Sequence, residues 1–158
     1  MSIAAIRIRG TVLARQKVVD TLQMLRLTRA NHCVILADNK SVRGMLQKVK
    51  DYVTWGEVTP QTVARILLKR GHVVGGKAFT DTYVKANSKF SSIWDFTQAM
   101  SKGEAGPKDV RGLNPVLRLH PPIKGYKSVK KAYTAGGDLG YRGKEIDALL
   151  TRMLGEEK

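Results

Sequence analysis

The spacing of apolar positions changes in a regular order over the first 58 residues. "AAIRIRG" alternates apolar and basic residues, the period-two pattern of a strand with one face toward polar surroundings, and Gly10 and Thr11 end it. "RQKVVDTLQMLRL" then places Val18, Leu22 and Leu25 at helical spacing, with Val19 and Met24 widening the stripe, until Asn31 breaks the helix. "CVILA" is a short unbroken apolar run and predicts a central strand. Asp38, Asn39 and Ser41 offer caps for a second helix carrying Val42, Met45, Leu46 and Val49 at the i, i+3, i+4, i+7 positions. "YVTW" reads as a third strand. The order β-α-β-α-β predicts three strands in one sheet with both helices on one side. Matched apolar faces predict that residues 1–58 fold by themselves.

From Thr59 the pattern loosens into an extension, 59–158, without any linker long enough to free a second domain. "TPQTVARILLKRG" is a helix with Thr59 as N-cap, Pro60 in the first turn and Gly71 as terminator. "SSIWDFTQAMSKG" is another, its inward face carrying Ile93, Phe96 and Met100, closed by Gly103. "EAGPKDVRGLNP" reads as a loop and "VLRLH" as a short strand ended by Pro121 and Pro122. A last helix through "KEIDALLTRML" carries Ile146, Leu149, Leu150 and Met153, and packs on the core. The fold class is α+β: a β-α-β-α-β core with helical and extended C-terminal elaboration.

Between those two, "KGYKSVKKAYTAGGDLGYRG" (Lys124 to Gly143) has no periodic apolar face, but five glycines, three tyrosines and one acid. This composition predicts an extended arm that orders only against a polyanion. Tyr126, Tyr133 and Tyr141 would either stack on bases or buttress the segment.

Charge strengthens that direction. There are 28 Lys and Arg against 13 Asp and Glu, a formal net charge of +15. An excess of this size repels itself in a compact chain and suits an anionic partner, nucleic acid first and an acidic membrane second. No uncharged run has the length of a spanning helix, Arg7 and Arg9 interrupt any signal-like start, and Cys33 stands alone, so a cytosolic protein is expected. From Val110 to Gly137 there is no acid, and from Met1 to Ala37 only Asp20. Any single Lys is better explained as a solvated surface residue, but two such tracts in one small protein are suited to neutralising phosphates. Arg-Gly occurs five times, at Arg9, Arg43, Arg70, Arg111 and Arg142, where backbone N–H groups can approach phosphates.

Catalytic signals are poor. His32, His72 and His120 are scattered and make no zinc-ligand spacing with Cys33. The glycines near the C-terminus miss the phosphate-loop spacing, because Glu145 follows Gly143-Lys144. Neither an enzyme nor a cofactor or metal is expected. A sequence-nonspecific DNA or chromatin binder shares the charge, but no helix-turn-helix or dimerising heptad is visible.

Three features carry a resemblance: the basic first strand, the "TLQMLRLTRANHCVILAD" junction, and "SVRGMLQKVKDYV" with Arg43, Gly44 and Met45 opening the second helix. Over Ile6 to Val58 the chain resembles the large-subunit ribosomal protein thirty family, whose core is a ferredoxin-like β-α-β-α-β sheet. The extension is similar to the longer archaeal form, related to eukaryotic ribosomal protein seven. The resemblance implies a structural constituent of the large subunit in the cytoplasm, bound to large-subunit ribosomal RNA near the small (5S) ribosomal RNA, with neighbouring ribosomal proteins and no membrane. It implies RNA contacts at Arg7, Arg9, Arg15, Lys17, Arg43 and Gly44. For the extension, charge and glycine point to Lys124, Lys127, Lys130, Lys131 and Arg142.

Overall fold

A computed structural model describes residues 1–156 of the chain. Its centre is a five-stranded mixed sheet in the order β4-β2-β1-β3-β5. β1 (Ser2–Arg7) lies between β2 (His32–Ala37) and β3 (Val53–Val58), antiparallel to both. The sheet therefore has five strands where three were expected, because the extension adds one strand at each edge. β4 (Val116–Arg118) pairs with β2, and β5 (Gly140–Tyr141) runs parallel to β3. The middle strand is β1, not "CVILA".

Helices cover both faces. Ile3, Ala5, Val34, Val53 and Trp55 point to one side, where α1 (Gln16–Met24) and α2 (Lys40–Lys48) supply Leu22 and Leu46. Ala4, Ile6, Cys33, Ile35 and Val58 point to the other, under α3 (Pro60–Arg70), α5 (Ile93–Lys102) and α6 (Ile146–Met153). Both helices of the core do share one side, although β1 is antiparallel to both neighbours and only β2-α2-β3 is a crossover. The second face is buried only by the extension, so 1–58 and the rest share one hydrophobic cluster.

This explains β1. Every residue from Ser2 to Arg7 is buried, although alternation predicted a polar face. A strand flanked on both edges and covered on both faces has no solvent side. Arg7 is accommodated because its guanidinium donates to the carbonyls of Leu27 (2.9 Å) and Arg9 (2.8 Å).

α1 stops at Met24, short of Asn31, since Arg26 takes a left-handed conformation (φ 61°) and turns the chain back. Met24, expected on the apolar stripe, is 66% exposed, while Leu25 and Leu27 still reach the core. Thr59 caps α3 through its hydroxyl, which accepts from the Thr62 N–H, and Gly103 closes α5 at φ 80°. α4 (Asp81–Asn87) was not foreseen. Its first acid, Asp81, accepts from the Ile93 N–H and joins it to the start of α5.

Candidate nucleic-acid interface

One end of the sheet gathers segments that lie far apart in sequence. β1 ends there and β2 and β3 begin there. Ile6 lies opposite Cys33, Arg7 opposite Val53, His32 opposite Arg118 and Thr54 opposite Gly140. The loop after β1, the chain before β2, the end of β4 and the glycine-rich segment before β5 all meet at this end.

The glycine-rich segment is no loose arm. Its single acid, Asp138, is buried and acts as a hub: the carboxylate accepts from the backbone N–H groups of Lys127 and Ser128 and pairs with Arg142 Nη2 at 3.0 Å. Arg142 also donates through Nε to Thr54 Oγ1 (2.9 Å) and through Nη2 to the Asp138 carbonyl (2.7 Å), with its guanidinium over the Tyr133 ring. Backbone bonds from Tyr133 N–H to the Leu139 carbonyl and from Gly137 N–H to the Ala132 carbonyl close the loop. A Cβ on Gly137 would overlap the Lys131 carbonyl, and one on Gly56 would overlap the carbonyl of Gly143. These glycines let backbone pack on backbone. Composition predicted order only on a partner; a buried ion pair and close glycine contacts order the segment within the fold instead.

Tyr126 is part of the same attachment, its hydroxyl donating to Asn31 Oδ1 at 3.1 Å. Burial pushes that phenol up to about 12, with the Asp138 carboxylate adding to the rise. Only Tyr141 keeps an exposed ring, tilted against Trp55.

The expected contact residues divide by environment. Arg7 and Arg142 are buried and hold the fold together. Arg9 is half-buried, with its guanidinium 5.4 Å from the centre of the Tyr52 ring. Arg15 and Lys17 are exposed where the loop after β1 enters α1. Lys124, Lys127, Lys130 and Lys131 are exposed on the loop pinned by Asp138. Arg43 and Gly44 are exposed at the opposite end of the sheet, where α2 begins. There Arg43 grips Asp38 through Nε (2.5 Å) and Nη2 (2.6 Å), which holds that carboxyl below its ordinary range.

Pairing of β4 with β2 brings Arg118 to the basic end, beside Arg29 on the chain just before β2. Burial first, then the charges of Arg118, Arg29 and Arg7, hold His32 below the usual histidine range. Three cations around one imidazole mark a strongly positive region. The charge tracts contain both arginines; Arg29 is close to His32 in the chain, its carbonyl accepting from the His32 N–H, whereas strand pairing alone makes Arg118 a neighbour. Among the described residues, no group of three or more His, Cys, Asp or Glu could hold a metal, and no helix is long and apolar enough to cross a membrane.

Comparison with known proteins decides the family. Residues 3–53 match the family described as ribosomal protein L30p/L7e. Large ribosomal subunit protein uL30 of Methanoregula boonei is 52% identical over 151 residues, covering 95% of this chain and 98% of the relative. The chain belongs to the L30p/L7e family. The uL30 proteins of Methanopyrus kandleri and Archaeoglobus fulgidus are 51% and 47% identical, again over more than nine-tenths of both chains. The family match ends at β3, whereas these archaeal relatives extend through the pinned loop and α6. The basic sheet end is thus built from both the shared core and the archaeal extension.

Proposed function

We propose that this chain is a structural, non-catalytic constituent of the cytoplasmic large ribosomal subunit and binds large-subunit ribosomal RNA through the basic end of its sheet. Family membership and the uL30 name of its relatives support the ribosomal role. The observation that carries the RNA surface is the convergence of the exposed loop lysines with Arg9, Arg15, Lys17, Arg29 and Arg118 at one sheet end. Phosphate oxygens suit this surface because every exposed cation releases counterions when it neutralises one. Arg43 and Gly44 form a separate, smaller contact on the far side. The resemblance to ribosomal protein thirty supports a position near the 5S ribosomal RNA.

Neutralising about six phosphates gives a slope of roughly −4 to −5 in log K against log salt. A binding series with ribosomal RNA in which affinity barely changes from low to moderate salt overturns the proposal. Equal affinity for duplex DNA at the same salt would favour a nonspecific DNA binder instead. Crosslinking within assembled subunits tests the 5S position: products with the large RNA alone would remove it.

A further inference from the structure

The loop after β1 ends in an apolar tip that the fold does not use. Thr11 to Ala14 form a tight turn closed by the Ala14 N–H on the Thr11 carbonyl at 3.0 Å. Its two central residues are Val12, 87% exposed, and Leu13, 99% exposed. Leu13 holds φ 60°, a conformation that glycine or asparagine adopts easily and a branched side chain resists. A leucine there gains nothing from the core and strains the turn. An outlier of this kind points to use of the side chain elsewhere.

The surroundings indicate the partner. No acid occurs from Met1 to Val19, and Arg9, Arg15 and Lys17 flank the tip. Asp20, the first acid, accepts from the side-chain amide of Gln16. Arg9 is fixed at the base of the loop over Tyr52. Cations that bind phosphates beside an exposed apolar pair match the combination with which proteins insert aliphatic wedges between bases. A protein groove would have to meet the same cations with acids. We propose that Val12 and Leu13 form an apolar wedge that contacts unstacked bases of the bound RNA, with Arg9, Arg15 and Lys17 on the adjoining phosphates. This rests on the RNA reading above and adds a base contact to it.

The test uses the full chain carrying Val12→Ser and Leu13→Ser, two exposed positions whose change leaves the fold intact. At fixed salt its affinity for large-subunit ribosomal RNA should fall about tenfold, with the slope of log K against log salt unchanged, because no phosphate contact is lost. Leu13→Gly should weaken binding similarly while melting no lower than the native chain, since glycine accepts the turn. A photo-crosslinking residue at position 13 should label RNA bases. Unchanged affinity in the serine variant overturns the wedge. So does lost retention in assembled subunits with RNA affinity intact, because the occupant would then be a protein. Failure of the RNA reading itself shows differently, as a flat salt dependence in the native chain.

Discussion

Arg7 and Tyr126 show how a residue suited to binding RNA can be committed to the fold. Arg7 lies on the middle strand with its guanidinium on the Leu27 and Arg9 carbonyls, and burial lowers it from the ordinary arginine range. Arg7→Ala should cost about 1.5–3 kcal/mol, the scale of hydrogen bonds from a charged donor. Its melting temperature should drop while the salt slope of RNA binding keeps its native value; a reduced slope at full stability would make Arg7 a phosphate ligand. Tyr126 gives a pH signature. Its folded pKa of about 12 lies above the ordinary 10, so the folded state retains the proton that the unfolded chain releases. That stability is complete below pH 10 and disappears as pH rises toward 12. Cys33, also raised to about 12 by burial, contributes the same sign from about pH 9. Chemical unfolding across pH 8 to 12 should show this loss, and Tyr126→Phe should remove only the part above pH 10. A variant profile parallel to the native one would refute the assignment.

At the scale of elements, the loop from Lys124 to Gly143 depends on one ion pair. Removing Arg142 leaves Asp138 buried without its cation, which costs about 3–5 kcal/mol for a broken buried pair. Arg142→Ala should therefore open the loop to trypsin at Lys130 and Lys131, sites cut slowly in the native protein. Equal cleavage in both would mean the pair does not hold the loop. The sheet makes a second claim. A fragment ending at Val58 bares Ala4, Ile6, Cys33 and Ile35, which α3, α5 and α6 otherwise cover. It should bind an apolar dye and lack the cooperative thermal transition of the full chain. A sharp transition in the fragment would show that the core, as its apolar pattern suggests, folds without the extension.

For the whole molecule, the charge is divided between repulsion and recognition. Replacing Lys127, Lys130 and Lys131 with glutamine removes like charges from one loop. RNA affinity should fall and the salt slope should flatten, while the melting temperature stays level or rises. A lower melting temperature would instead assign these lysines to internal contacts. The β-α-β-α-β order, the three capped or well-patterned helices and the two acid-poor tracts were legible in the sequence, because each depends on near neighbours: a hydrophobic period, a cap hydroxyl, or a count of charges. Tertiary contacts decided which strand is central, since a six-residue strand carries no mark of what flanks it. They also buried Arg7 and Arg142, because arginine's long side chain can seek either solvent or distant carbonyls. Asp138 was visible as the lone acid of its segment and Arg142 as a residue four positions on. Only the approach of Thr54 and Gly56 to that segment turned the pair into a hub, because the desolvation that makes an ion pair structural comes from chain some 80 residues away.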